Sequence, residues 1–314
     1  MKKKLLGLIL VAAMVVALAG CSKIAEETQT AVDAYNAELA TYNESASPYN
    51  DAVDSMVSAN EELDASLDSA QEALNKNETP FDEETVTALK DAMSTAQDAK
   101  VVAPEKMQEF DELTVNSEAK SDELKALKEQ AEADMATMQG IEIPETPEIP
   151  DYSEVIAGVS KAQEAYEDSI QSLKQITAPA DDFVMERLQR VDTITAMAAV
   201  TEDHDPNEKL GKQGGYIGCI YWSDNQVDKS KIYEYSNDVI EVGTEGGGAI
   251  EIYNTVEEAT ARDTYLASFD GSGFASGSHY VYGTIIIRTS DHLSGTKQQE
   301  LTQKVLEALI AVDK

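Results

Sequence analysis

The stretch YNAELATYNESASPYN, residues 35–50, repeats a Tyr-Asn pair every seven residues, at Tyr35, Tyr42 and Tyr49. The same spacing continues to Leu74 in a stripe of mostly apolar residues, which we call the seam. The seam consists of Tyr35, Leu39, Tyr42, Ala46, Tyr49, Val53, Met56, Asn60, Leu63, Leu67, Ala70 and Leu74. A 3.5-residue apolar period is typical of helices packed as in coiled coils. We therefore predict a helix whose seam packs on other helices.

Pro48 lies inside this stretch, and a proline in a helix interior costs about 3 kcal/mol and kinks the helix. The seam nevertheless keeps its phase on both sides of Pro48. A turn would reset that phase, so we predict one kinked helix from about Ser22 to Asn75. At about 1.5 Å per residue it would be some 80 Å long.

Three further helices are predicted before residue 178. The Thr79-Pro80 pair has the residue types of an N-cap and first helical position, which places a second helix from there to about Lys100. Pro104 starts a third helix, which ends at Gly140 and turns Met107, Phe110 and Leu113 inward. A fourth runs from Ser153 to about Ile176. Short connections favour an antiparallel bundle that the fourth helix completes.

Pro144, Pro147 and Pro150 are spaced by three, the period of polyproline II. No helix passes through such a segment. It is either a semi-rigid spacer or an extended strap along the bundle.

Glycine usage divides the chain. A single glycine, Gly140, lies between Ser22 and Ala157, whereas thirteen lie from Gly211 to Gly295. Strands are predicted at 194–200, 216–222, 238–242, 249–253 and 280–289, the last of them central. Helices are predicted at 181–190, 255–269 and 297–312. Such alternation makes a ferredoxin-like arrangement one candidate.

The predicted fold class is α+β and mostly α. An antiparallel helical bundle or coiled-coil arm is followed by a small, mainly antiparallel sheet with helices on one face. The predicted parts are a signal peptide (1–20), a helical region (21–140), a proline-rich linker (141–151), a further helix (152–178) and the α+β domain (179–314).

The N-terminal sequence predicts where in the cell the protein is located. Three lysines at positions 2–4 precede an uncharged apolar run that is shorter than the ~20 residues needed to cross a bilayer. This is the pattern of a secretory signal. Its end, Leu18-Ala19-Gly20-Cys21, resembles the lipobox of bacterial lipoproteins. The resemblance implies cleavage before Cys21, diacylglycerol on its thiol, and anchoring to the cell membrane at the extracytoplasmic face.

In its general pattern the chain resembles uncharacterised lipoproteins of Gram-positive bacteria that join a helical stalk to a small α/β domain. That likeness implies no activity. Since Ser22 follows Cys21, a Gram-negative source also stays open.

Charge excludes some partners. Removal of residues 1–20, with three lysines and no acid, changes the net charge from −35 to −38. Nucleic-acid binding needs a basic face, so it is not expected. Cys219, the only other cysteine, lies in an apolar run and is expected to be a buried hydrophobe without a disulfide partner.

Asp203, Asp205 and Asn207 place oxygen donors at alternate positions, as at the start of an EF-hand loop. The pattern then departs, since Glu208 and Gly214 stand where that loop needs Gly and Glu. Two interpretations are open, an acidic turn and a Ca2+ site; no other cofactor is expected.

Other motifs favour structural roles. Gly246-Gly247-Gly248 does not match a phosphate loop and predicts tight turns. Asp270-Gly271-Ser272-Gly273 and Ser276-Gly277-Ser278-His279 place Ser, His and Asp close in sequence but lack a nucleophile elbow, so a polar loop is expected rather than a catalytic triad. Tyr233 and Tyr235 lie on a polar segment and are candidate binding residues.

Together these features predict a surface-tethered extracytoplasmic lipoprotein with a non-enzymatic binding or structural role. Its partners would be the membrane, through the lipid anchor, and an envelope or extracellular molecule. The alternatives are an extracellular hydrolase and a solute-binding lipoprotein, each using the C-terminal domain.

Overall fold

The computed structural model describes residues 2–233, 235–272 and 277–314, with side chains described from Ser22 onward. The helices of the described chain are α1 Lys2–Asn75, α2 Glu84–Ala99, α3 Ser121–Gly140, α4 Ser153–Gln175, α5 Asp181–Leu188, α6 Val239–Val242, α7 Val256–Ala267 and α8 Gly295–Ile310. The strands are β1 Ile194–Ala199, β2 Gly218–Asp224, β3 Gly247–Ile252, β4 His279–Tyr282 and β5 Ile285–Thr289.

The long helix is confirmed. α1 continues through Pro48 and ends at Asn75 as predicted, but it begins at Lys2, earlier than the predicted start near Ser22. The seam is turned inward: Tyr35, Tyr42 and Tyr49 are no more than 5% exposed. The apolar period therefore determined which face of α1 is buried.

What covers the first part of the seam differs from the prediction. The third helix does not begin at Pro104; residues 101–116 form no helix or strand, and α3 starts only at Ser121. We call residues 104–116 the strap. Met107, Phe110 and Leu113 do pack inward, against the same apolar cluster as Tyr42. A spacing of three suits an extended segment as well as a helix, which explains the error.

The Tyr-Asn repeat holds the strap by its backbone. The hydroxyl groups of Tyr35, Tyr42 and Tyr49 donate to the strap carbonyl oxygens of Asp111, Gln108 and Glu105, respectively. The three distances are 2.7, 2.7 and 3.3 Å. Seven helical residues rise about 10.5 Å, and three extended residues span about 9–10 Å. The two periods match, so one repeat of α1 faces three residues of an antiparallel strap.

Two asparagines of the repeat complete this contact. Asn36 Nδ2 donates to the carbonyl of Leu113 at 2.8 Å, and its Oδ1 accepts from the Leu113 N–H at 3.1 Å. Asn50 makes the same pair of bonds with Met107. An amide side chain carries both a donor and an acceptor, so it satisfies a whole backbone residue. The third asparagine, Asn43, is exposed.

The proline-rich segment has no helix or strand between α3 and α4. Ile141 and Ile143 pack against the cluster that contains the first part of the seam. Tyr152 is buried, and its hydroxyl donates to Oδ1 of Asn60, the polar residue of the seam, at 2.9 Å. Two possibilities were predicted for this proline-rich segment. These contacts favour an extended segment that lies along the helices over a semi-rigid spacer.

The second helix begins later than predicted. α2 starts at Glu84, and the side chain of Asp82 accepts from its N–H at 2.9 Å. Thr79 and Pro80 therefore precede the helix instead of capping it. The fourth helix is confirmed, with Val159, Tyr166 and Ile170 buried on its inner face.

The chain forms two compact units. One consists of residues 1–67 and 96–156, the other of residues 68–95 and 157–314. These units differ from the predicted boundaries, because α2 and most of α4 group with the sheet. In the second unit, Ser172 and Gln175 of α4 donate to the carbonyls of Ile310 and Leu309 at the end of α8.

The sheet is antiparallel throughout, in the order β1-β2-β3-β5-β4. β1 to β3 form a meander. The chain then passes through α7 to the edge strand β4 and returns by a hairpin at Gly283 to insert β5 between β3 and β4. This order is not that of a ferredoxin-like fold.

Two predicted strands are wrong in detail. Residues 239–242 form the short helix α6, because the carboxylate of Asp238 caps its first N–H groups. Residues 280–289 form two strands and not one: Gly283, with a φ of 57°, turns the chain between β4 and β5. The predicted strand at 194–200 is confirmed as β1.

The fold class, mostly α with a small antiparallel sheet, is confirmed. Helices were predicted on one face of the sheet. α5 and α8 do cover one face, where they pack over Ile220, Trp222 and Ile250. The opposite face, with Cys219, Tyr221 and Ala249, is covered as well, by α6 and α7.

The triple glycine has a packing role. Gly247 and Gly248 open β3, and the Trp222 ring lies against their backbone. A Cβ on Gly248 would overlap the ring and the Arg288 carbonyl. Gly246 ends a 3-10 helix that spans Gly243–Gly246, and the prediction of tight turns is wrong for Gly247 and Gly248.

Candidate functional site

A cavity of about 470 Å3 opens in the second unit beside α7. One wall comes from the loop between β1 and β2, the other from the end of β3 and from α7. The lining residues are Asn207, Lys209, Gly214, Gly215, Tyr216, Tyr253, Glu258, Ala261, Arg262 and Tyr265. A concave site of this volume with a few polar groups is the usual form of a small-molecule site.

α7 presents one face to the cavity because Glu258, Ala261, Arg262 and Tyr265 follow the helical i, i+3, i+4, i+7 spacing. Thr255 caps the helix by accepting from the Glu258 N–H at 3.2 Å. The carboxylate of Glu258 accepts from the Asn254 N–H, also at 3.2 Å.

Behind this wall lies a buried charge cluster. Glu251 of β3 is fully buried and accepts from Nε and Nη2 of Arg262 at 2.8 and 3.1 Å. Its other contacts are Nη1 of Arg288 at 2.7 Å and the Tyr253 hydroxyl at 2.8 Å. Arg262 also lines the cavity. Its two bonds to Glu251 hold the guanidinium group in one orientation there.

Electrostatics keeps the cluster charged. Burial alone would raise the pKa of Glu251, but the hydrogen bonds and charges of Arg262 and Arg288 outweigh burial and lower it. The pKa of Arg262 is raised: its burial opposes charging, and the contact with Glu251 dominates. Burial and the neighbouring Glu251 raise the pKa of Tyr253, so its hydroxyl stays protonated and donates.

The loop wall is organised by Asp205. Its carboxylate accepts from the N–H groups of Asn207, Lys209 and Leu210 and from the Tyr216 hydroxyl. Burial tends to raise the pKa of Asp205, and these hydrogen bonds lower it overall. The carboxylate therefore fixes the loop that carries Lys209 and Tyr216.

The predicted calcium ligands Asp203, Asp205 and Asn207 have different surroundings. Asp205 is committed to the loop, Asp203 is exposed, and Asn207 turns its Nδ2 towards the hydroxyl groups of Tyr216 and Tyr221. These bonds hold the Asn207 side chain against the two tyrosines. The hydrogen bonds of Asp205 favour the acidic turn, and the Ca2+ site stays a prediction.

A different donor group includes His204. One ligand atom from each of His204, Asp238 and Glu241 lies within 4.8 Å of the others, and His204 Nε2 is 3.7 Å from Asp238 Oδ2. Ligand atoms around Zn2+ lie about 3.0–3.4 Å apart, so the group is wider than a bound site. Asp238 also accepts hydrogen bonds from the N–H groups of Ile240 and Glu241, so its carboxylate has a structural role as the cap of α6.

His279 has no free ring nitrogen. Nδ1 lies 2.6 Å from Asp263 Oδ1, and Nε2 lies 3.4 Å from Asp270 Oδ1. No serine in the described part of the chain is hydrogen-bonded to either nitrogen, whereas a Ser-His-Asp site needs such a bond. Ser276 lies outside the described residues.

The remaining candidates lie apart from the cavity. The Tyr233 side chain is 86% exposed, and Lys229 Nζ lies 5.2 Å from the ring centre of Tyr235. Both stay predicted binding residues. Cys219 is buried and free of disulfides, as expected, and burial raises the pKa of its thiol.

Sequence reasoning missed the cavity residues Lys209, Arg262 and Tyr265. A recognisable signal existed for α7, where two of the lining residues are charged on the same face as Ala261. The partner Glu251 lies in an apolar strand, where a lone acid predicts a buried ion pair.

Cys21 lies outside the described side chains. No helix in the described part of the chain has the length and apolar character needed to span a bilayer. Comparisons of the chain with family models, with curated proteins and with solved structures find no match.

Proposed function

We propose that this protein is a lipid-anchored extracytoplasmic binding protein without enzymatic activity. Its C-terminal α+β domain would bind a small molecule in the cavity beside α7. The observation that carries the binding role is the pre-oriented guanidinium of Arg262, fixed by Glu251 at the wall of that cavity. Fixed polar groups reduce the entropy lost when a ligand binds.

The neighbouring hydroxyl groups support the same role. Tyr216 is bonded to Asp205 and Tyr253 to Glu251, so both are also held before any ligand arrives. Catalysis needs a nucleophile or an acid–base group with a suitable pKa. The pKa values of both tyrosines are raised, chiefly by burial, which suits hydrogen bonding rather than proton transfer.

Anchoring is tested by Cys21→Ala. The wild-type protein should fractionate with membranes and carry a lipid mass on Cys21, whereas the variant should be released. Retention of the variant with membranes would contradict the anchor.

Binding is tested by a thermal-shift panel of sugars, amino acids, nucleosides, dicarboxylates and sugar phosphates. Ala261→Trp should fill the cavity and abolish the shift of any hit. Thr260→Trp, at an exposed site on the same helix outside the lining, is the matched control. A panel in which no compound stabilises the wild type would overturn the binding role.

A further inference from the structure

The cavity has an unusual charge for this protein. The chain carries 59 acidic and 24 basic residues. Among the residues that line the cavity, Lys209 and Arg262 are cationic and Glu258 alone is anionic. Glu258 is also engaged with the Asn254 N–H of the helix cap. A local excess of positive charge in so acidic a chain points to a negatively charged ligand.

The cluster behind the wall strengthens this bias. Two guanidinium groups, of Arg262 and Arg288, contact the single carboxylate of Glu251. Glu251 is fully buried, and Arg288 is 8% exposed. Charges in such surroundings are poorly screened by solvent and salt, so the cluster acts on the cavity more strongly than surface charges do.

Arg262 has a nitrogen left for a ligand. Nε and Nη2 are bonded to Glu251, and no residue that the structure describes accepts a hydrogen bond from Nη1. The guanidinium carbon lies 5.3 Å from the centre of the Tyr265 ring, which borders the same cavity. Nη1 thus carries two donors on a group that cannot turn away.

Lys209 supplies a second cation. Its backbone N–H donates to Asp205 at 2.6 Å, which fixes the base of the side chain. Its ammonium group forms no ion pair with the described residues. Guanidinium and ammonium groups on opposite walls suit an oxyanion, either carboxylate or phosphate.

We propose that the cavity binds a small ligand through a carboxylate or phosphate group held between Arg262 and Lys209. This inference rests on the proposed binding function and names the chemical class of its ligand. The rest of the ligand would lie against the rings of Tyr216, Tyr253 and Tyr265.

The test is calorimetry on the full chain with matched pairs of probes. One pair is succinate and its neutral diamide; the other is glucose 6-phosphate and glucose. We expect binding by the charged member of at least one pair and not by its neutral partner. Which pair responds separates carboxylate from phosphate.

Variants locate the binding. Lys209→Gln should weaken it about tenfold or more, the usual effect of one charge-assisted hydrogen bond. Lys212→Gln, an exposed lysine of the same loop outside the lining, should change it less than about twofold. Arg262→Gln should weaken it further, but it also unpairs Glu251, so Lys209→Gln decides the test.

Three results would overturn the inference. If the neutral probes bind as well as the charged ones and Ala261→Trp blocks them, the anion is wrong and the binding function stands. If charged probes bind but neither Ala261→Trp nor Lys209→Gln matters, the site lies elsewhere. If no compound of the thermal-shift panel and no probe binds, the inference and the binding function both fail.

Discussion

Asn50 and Met107 exchange two hydrogen bonds across 57 residues of chain: Asn50 Nδ2 donates to the Met107 carbonyl at 3.2 Å, and the Met107 N–H donates to Asn50 Oδ1 at 2.7 Å. Both residues are buried. The strap lacks helix and strand, so side chains of α1 take the place of a neighbouring strand. Loss of such a pair leaves a buried N–H and C=O without partners.

We therefore expect Asn50→Ala to destabilise the first unit by about 1–3 kcal/mol. The Met107 amide should also exchange hydrogen faster. Hydrogen exchange and urea unfolding measure the two effects. Asn43→Ala is the matched control, since Asn43 holds the same place in the repeat but is exposed. It should change stability by less than about 0.5 kcal/mol. Equal effects of the two variants would contradict the role of the asparagine hydrogen bonds to the strap.

Gly248→Ala should destabilise the sheet by about 3 kcal/mol or more, because the new Cβ meets the Trp222 ring and the Arg288 backbone. Trp222 is the single tryptophan of the chain, and its fluorescence reports unfolding of this region. Gly158→Ala is the contrast: it lies exposed inside α4 with nothing within 4 Å of the added atom. That change should stabilise by about 0.5–1 kcal/mol, and a loss of stability there would contradict the packing described.

Glu251→Gln should show how the buried cluster depends on pH. Removal of one partner of a buried ion pair costs about 3–5 kcal/mol at neutral pH. The folded-state pKa of Glu251 lies below its usual value of 4.5. The ionised carboxylate therefore stabilises the fold above pH 4.5, and this contribution is lost as the pH falls through the lower pKa of the folded state. Urea unfolding of the wild type and the variant should give a gap that narrows below pH 4.5. A gap that stays constant down to strongly acidic pH would show that the carboxylate charge is not what stabilises the cluster.

Asp205→Ala should release the loop wall of the cavity, because four donors lose their acceptor. We expect a loss on the order of 3 kcal/mol in unfolding free energy, measured by calorimetry. Asp203→Ala, at an exposed neighbouring acid, should be nearly neutral. Millimolar Ca2+ should shift the melting temperature of neither the wild type nor the variants. A calcium-dependent rise that needs Asp203, Asp205 and Asn207 together would restore the calcium interpretation.

The error in the strap has a physical origin. Met107, Phe110 and Leu113 were expected on one face of a helix, and they do face the core. Apolar spacing reports which side chains are buried, but a spacing of three fits two backbone conformations. The deciding groups were Asn36 and Asn50, which offered the strap hydrogen-bond partners that a helix would have supplied internally. The repeat of tyrosine with asparagine was visible in the sequence. Its asparagines were the sign that an extended segment could find backbone hydrogen-bond partners on α1.

Local chemistry was thus enough to determine α1, its buried face and the antiparallel character of the sheet domain. Apolar periods, glycine positions and proline positions act over a few residues, and neighbouring residues report them directly. The lipobox likewise depends on four consecutive residues, and anchoring remains a prediction from them.

Only the tertiary structure decided the strand order, the covering of both sheet faces and the cavity beside α7. Glu251, Arg262 and Arg288 come from β3, α7 and β5, and they meet because β5 inserts beside β3 after the chain has passed through α7 and β4. Buried charges need partners, and those partners are selected by distance in space and not along the chain. For this reason the residues of the cavity were present in the sequence, while their association was not readable from it.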